Sequence, residues 1–242
     1  MASSSLPARP VSRRERPAKP ALTREGIVGT AVRLMATEGL GRVTMRRLAH
    51  ELDTGPASLY VYVRNVAELH GAILDQLLAQ APPPARARQW TVRVERTLLA
   101  YAAILFEHPG LARSALTLRP SGEHYFDLIE TLLADMAGGG VPADRAAWGV
   151  DVLLQLVTAT AAEQTTRDES ADAPAEQAAQ LTALEHAAAD RFPHLRALAG
   201  EIVSGDGMDR FRWAIQALLA GIAATPRPEA SPRRRTGRTH PR

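Results

Sequence analysis

The chain of 242 residues contains no cysteine, which removes disulfides, thiolate metal ligands and cysteine nucleophiles from consideration. Aromatic residues are scarce, at 5%, while 45% of the chain is hydrophobic and dominated by alanine and leucine, a balance that favours helices over sheets. Long apolar runs are absent, and the Arg-studded N-terminus lacks an apolar segment followed by a cleavage site. The sequence therefore predicts neither a membrane span nor a secretory signal, and a cytoplasmic protein. Catalytic groupings are missing too. The seven histidines, at 50, 70, 108, 124, 186, 194 and 240, show no metal-binding spacing, and Gly138-Gly139-Gly140 lacks the lysine and preceding strand of a phosphate loop. Ser114, Ser121 and Ser204 have no strand-turn-helix setting that would activate a nucleophile. The expectation is a protein that is not an enzyme and holds no cofactor or metal.

What the chain does have is helical periodicity from end to end, so the predicted fold class is all-α. Residues 44–63, TMRRLAHELDTGPASLYVYV, read as two short helices joined by a tight turn. Thr44 stands at an N-cap position, and Leu48, Ala49 and Leu52 recur at helical spacing; Asp53 and Thr54 break the pattern. Gly55-Pro56 restarts it, since proline suits the first helical position, where its missing N–H costs nothing. Leu59 and Val63 face inward in the second helix. Ala57, Ser58, Tyr60 and Tyr62 share its other faces, a surface of small, hydroxylated and aromatic groups able to enter a major groove. Upstream, Thr23 caps a helix carrying Ile27, Ala31, Leu34 and Met35 on one face and ended by Gly39. Downstream, Asn65 and Glu68 form a capping box for a fourth helix that Pro82-Pro83-Pro84 stops.

Five further helices follow from spacing. They run from Arg88 to Phe106, from Leu111 to Leu118, from Glu123 to about Met136, and from Arg145 to about Thr166, with a last one from Met208 to Ala224. His108-Pro109-Gly110 reads as a break, and residues 167–179 as a mobile loop or weak helix. The organisation expected is a basic arm (1–20), a helix-turn-helix domain (21–80), a helical domain (85–225) and a basic tail (226–242). The overall charge of +3 conceals an asymmetry: the arm carries a surplus of four positive charges and the tail a surplus of five, leaving −6 for residues 21–225. The arm and tail read either as disordered, soluble ends or as phosphate-neutralising extensions.

The run Thr23-Arg24-Glu25, Ala31, Leu34, Glu38-Gly39, Val43-Thr44-Met45-Arg46-Arg47-Leu48-Ala49, Ser58-Leu59-Tyr60, Val63, Asn65 and Glu68-Leu69 resembles the DNA-binding domain of TetR-type transcriptional repressors over residues 23–78. Two departures stand out: Asp53 replaces a usual glycine in the turn, and Val66 replaces a frequent phosphate-binding lysine. Asp tolerates the left-handed region that glycine supplies. Arg46, Tyr60 and Tyr62 are candidate contacts to double-stranded operator DNA, and the resemblance adds Thr44, Met45, Pro56, Ala57 and Ser58. For Arg46 the competing reading is a solvated charge, and for Tyr60 a core aromatic with a surface hydroxyl.

Phe192-Pro193-His194-Leu195 and the final helix resemble the C-terminal domain of the tetracycline-repressor branch. The resemblance implies a homodimer in which the helix at 145–166 and the last helix build a four-helix interface. It also implies a small-molecule effector site among the helices, for which Trp90, Phe106, Tyr125, Phe126, Trp148 and Gln155 are the candidate lining residues; ordinary core packing is the competing reading for each. The position where tetracycline repressors carry a metal-holding histidine falls near Ala115, which argues against a magnesium–tetracycline effector. A ligand-indifferent DNA-binding protein whose C-terminal domain only dimerises is the alternative. If the basic arm reaches phosphates, deleting residues 1–20 makes the salt slope of DNA binding shallower by about 0.9 for each phosphate that the arm neutralises. Anisotropy titrations at several salt concentrations measure it, and an unaltered slope leaves the arm a solvated tail.

Overall fold

The computed structural model, which describes residues 21–228, opens on a helix whose start and stop are both set by side-chain chemistry. In α1 (Arg24–Glu38) the Thr23 hydroxyl accepts the Gly26 N–H at 3.0 Å. Gly39 ends the helix at φ 80. Ile27, Ala31, Leu34 and Met35 are all buried, as their spacing predicts. A single 3-10 turn, Leu40–Arg42, leads to α2 (Met45–Glu51), where the Thr44 hydroxyl accepts the Arg47 N–H at 3.1 Å.

The turn after α2 closes by two nested backbone bonds, Thr54 N–H to Ala49 C=O (2.8 Å) and Asp53 N–H to His50 C=O (3.1 Å). This pattern demands a left-handed residue between them. Asp53 takes that conformation at φ 46 and is the one non-glycine residue with positive φ among the described residues. Next comes α3 (Pro56–Leu59), one turn long, with Gly55 at its N-cap. In α4 (Val66–Gln80) Asn65 Oδ1 accepts the Glu68 N–H at 2.8 Å, but the capping box is only half made. The Glu68 carboxylate reaches one residue further back and accepts both the Arg64 N–H and its guanidinium Nε–H, each at 2.9 Å.

Beyond the three prolines lie α5 (Trp90–Glu107), α6 (Pro109–Ala115), α7 (Glu123–Gly138) and α8 (Ala143–Asp168). Rather than a simple break, Pro109 is the first residue of α6. Gly110 is small for a reason: a Cβ there would fall 2.9 Å from Leu40 Cβ, where α6 meets the 3-10 turn of the first domain. The stretch expected as a loop or weak helix, 167–179, overlaps the first half of α9 (Ala173–Glu185), which tolerates Pro174 because it lies in the first turn. None of the residues of α9 is buried. Two short helices, α10 (Pro193–Ala197) and α11 (Ala199–Val203), precede α12 (Gly207–Ala224), capped by Asp206.

One apolar core runs through both halves, from Ile27 in α1 to Leu219 in α12. Its axis is α8, which packs on α5, α6, α7 and α12, while α4 packs on α1, α6 and α7 and so belongs to both halves. The basic arm and tail expected from the sequence fall, but for residues 226–228, outside the described residues. No helix among the described residues is long and apolar enough to cross a membrane.

The left-handed turn generates a stability prediction. Asp53→Val, which puts a β-branched side chain at φ 46, lowers stability by about 1–2 kcal/mol, while Asp53→Asn stays close to wild type. Urea unfolding midpoints measure both, and equal midpoints for the two variants would remove the conformational explanation.

Candidate nucleic-acid interface and effector domain

Two consecutive arginines on α2 are held differently. Arg47 is bound by two carboxylates, Nη2 to Glu38 at 2.7 Å and Nη1 to Glu51 at 2.7 Å, which ties α2 to the end of α1. The hydrogen bond from Arg47 holds the Glu38 carboxyl below its ordinary pKa, and the bonds to Glu38 and Glu51 push the guanidinium up. Arg46, one residue earlier, is exposed and has no acidic partner among the described residues. It borders a shallow depression of about 320 Å³ lined also by Gly41, Arg42, Thr44, Arg47 and His50. Such a basic surface, beside the free amides at the start of a helix, suits a phosphate. Helical spacing alone does not single out Arg42 and His50, although their flanking of Arg46 and Arg47 is visible in the sequence.

Leu59 and Val63 are fully buried, and their neighbours point out. Pro56, Ala57, Ser58, Tyr60 and Tyr62 are exposed, as a groove-reading helix requires. Val61 belongs with them: it is 81% exposed between the two tyrosines, a position that an apolar residue at helical spacing does not reveal. Met45 does not join this surface. Only 6% exposed, it faces the core at the first turn of α2, so the expectation that it meets DNA is corrected. Val66, a departure from the pattern expected by resemblance, is exposed at the start of α4, and the nearby basic group, Arg64, is paired with Glu68.

The six residues expected to line an effector cavity are not brought together. Trp90, Phe106 and Tyr125 are half-buried against the core. Trp90 packs where a Cβ on Gly139 would collide with it, sealing α5 onto the end of α7, and Phe106 meets Phe211 edge-on at 6.3 Å. Phe126, Trp148 and Gln155 instead face solvent in the protomer, which corrects their assignment to a cavity. Trp148 lies on the outward stripe of α8 under the Arg227 guanidinium, 4.0 Å from the ring centroid, and Gln155 donates to Asp151 at 2.7 Å. Ala115, near which the resemblance would put a metal-holding histidine, closes α6.

The polar groups inside the domain are others. Tyr101 on α5 and Thr158 on α8 share a buried hydrogen bond of 3.0 Å, and burial pushes the Tyr101 phenol up to about 12. One turn before Tyr101, the buried Thr97 hydroxyl has no hydrogen-bond partner. On the interface between the halves, His70 Nδ1 lies 2.8 Å from Ser114 Oγ and its Nε2 is unpartnered; burial lowers the ring's pKa, favouring the neutral form. In sequence these hydroxyls are detectable only as polar residues at inward positions of apolar helices.

Comparison with known proteins gives this geometry a family. Residues 27–73 match the model described as bacterial regulatory proteins, tetR family, and residues 83–225 match the tetracyclin repressor-like C-terminal domain. The solved Streptomyces transcription regulator SCO7704 is 49% identical, with a TM-score of 0.75, covering 88% of this chain and 100% of that one. ActR from Streptomyces coelicolor, solved in complex with actinorhodin, is 34% identical over 84% of this chain and 96% of its own, with a TM-score of 0.74. Among curated proteins, the HTH-type transcriptional repressor DrrR1 of Streptomyces coeruleorubidus is 30% identical, covering 84% of this chain and 78% of that protein. A helix-turn-helix joined through α4 to a helical domain thus matches the family in both of its parts, and the chain belongs to the TetR family of DNA-binding transcriptional regulators.

Proposed function

We propose that this regulator is a homodimeric, cytoplasmic repressor that leaves palindromic operator DNA when an organic small molecule enters its C-terminal domain. The observation that carries the DNA half is the division of labour on α2 and α3: Arg47 braces, Leu59 and Val63 anchor, and Arg46, Ser58, Tyr60 and Tyr62 are left outward. In this reading residues 21–80 are the reading head and 85–225 the effector and dimerisation domain. Dimerisation is supported by an outward apolar stripe. On α8, Trp148 and Val152 are exposed, and on α12 Trp213 is 73% exposed beside Ala217 and Ala220. These two helices already pack together, so closely that a Cβ on Gly149 would lie 2.8 Å from Ile222. A two-fold pairing on this face sets two reading heads on one duplex, where heads about 34 Å apart read a palindrome.

ActR, solved with actinorhodin and with (S)-DNPA, supports an organic effector for this chain as well. A ligand inserted between α5 and α8 meets the Thr97, Tyr101 and Thr158 hydroxyls within an apolar wall of Leu98, Leu105 and Leu153. To release the operator it must bind the conformation with the wrong head spacing more tightly than the DNA-competent one. The ligand-indifferent alternative draws support from the scatter of the six aromatic and polar candidates, which share no site.

Anisotropy of labelled DNA from upstream of the gene, at two salt concentrations and with a small-molecule panel that includes actinorhodin, separates the readings. Specific binding released by one compound is expected. Binding that no compound disturbs favours the alternative, and weak binding erased by salt contradicts specific recognition of that DNA. Arg46→Ala weakens specific binding by about 1–3 kcal/mol with an unchanged melting temperature; unchanged affinity removes Arg46 from the interface. Trp213→Glu converts the dimer to a folded monomer in sedimentation velocity, and a persisting dimer places the interface elsewhere.

A further inference from the structure

The first turn of α7 has no cap of its own. Its N-cap residue is Gly122, which offers no side chain to the free amides of Glu123, His124 and Tyr125. The acceptor comes from another helix: Asp75 on α4 reaches across, and its Oδ1 accepts the Tyr125 N–H at 2.9 Å. That amide is the third of the helix, one of the two that an N-cap side chain ordinarily binds. The other carboxylate oxygen lies 3.2 Å from His124 Nδ1. The fit leaves no spare room, because a Cβ on Gly122 would collide with the Asp75 carboxyl. Asp75 therefore fills the place of the missing cap, and its negative charge faces the positive end of the α7 dipole.

This geometry ties two facts that are ordinarily independent, the order of one helix and the position of another. α4 begins beside the reading head and packs along α6 and α7, and among the described residues its polar ties to the second half are this cap and the His70–Ser114 contact. We propose that Asp75 is the positioning residue that locks the reading head to the effector domain, by capping α7 from α4. While α4 keeps its place, the first turn of α7 is satisfied; when α4 swings, that turn loses its acceptor. By reciprocity, a ligand that displaces the start of α7 releases α4. The inference deepens the proposed function and rests on it, taking α4, which packs in both halves, as the route by which an effector in the second half moves the reading head.

The test separates a tie between helices from plain stabilisation of α7. Asp75→Ala removes both the cap and the tie. The double variant Asp75→Ala, Gly122→Ser restores a cap from α7's own N-terminus, in the space the carboxylate vacates, and leaves the tie broken. Because the chain lacks cysteine, spin labels at Val61→Cys and Glu130→Cys, both exposed, report the distance from reading head to α7 within one chain. Labelled chains are diluted with unlabelled ones so that this distance dominates. With Asp75 intact a single narrow distribution is expected. In both variants it broadens or shifts, whereas amide exchange at Tyr125, faster by roughly fivefold in Asp75→Ala, returns to the wild-type rate in the double variant. A double variant whose distance distribution superposes on that of the Asp75 protein overturns the proposal and leaves Asp75 a cap alone. The readout uses neither operator nor effector, so its outcome is independent of whether the proposed repressor function holds.

Discussion

A helix of four residues has no stability of its own, because nucleation fixes several residues for a single hydrogen bond. That α3 exists at all depends on two side chains, Leu59 and Val63, sunk completely into the core beneath it. The outward face of α3 is fixed by this burial. Ser58, Tyr60 and Val61 point outward because their neighbours point in, and the backbone between them has no freedom to rotate as a unit. The turn before α3 is constrained as strongly, by the paired bonds around Asp53, and the helix after it by the Asn65 cap. The reading face is thus rigid on a small framework of apolar anchors and caps, with the charged groups added on top.

Much of this was legible in the residues themselves. Thr23, Thr44 and Asn65 each accept an amide where their position relative to the first apolar residue predicted. Inward and outward positions of α1 and α3 followed from spacing, and Asp53 was readable as a left-handed residue because the resemblance puts a usual glycine at its place and aspartate tolerates that conformation. Failures came where spacing says nothing about which of two buried-looking faces meets the core. Met45 neighbours Arg46, yet one residue is a rotation of about 100° on a helix, enough to move it from surface to interior. On α8 an apolar stripe runs down two sides; Leu153 and Val157 turn inward, whereas Trp148 and Val152 turn outward.

The effector domain shows the limit more sharply. Five of its six candidate lining residues are aromatic, but size alone does not distinguish packing from binding. Trp90 serves as a seal over Gly139, and Trp148 stacks under an arginine 79 positions away, a pairing that no local pattern encodes. The same holds for the cap on α7, whose acceptor lies 50 positions from its donor. Contacts of this kind exist only once the helices have been laid against each other, and they are the ones that join the reading head to the rest of the molecule.

The adjacent arginines of α2 also differ in what could replace them. At position 46 the guanidinium stands exposed with no acidic partner among the described residues, so no contact within the protomer there depends on its shape. Position 47 employs the planar fork of the guanidinium, splitting its two ends between Glu38 and Glu51, and a single ammonium point cannot span both. Two chemically identical neighbours are therefore constrained differently by the fold, the first by no contact within the protomer and the second held to arginine by shape rather than by charge.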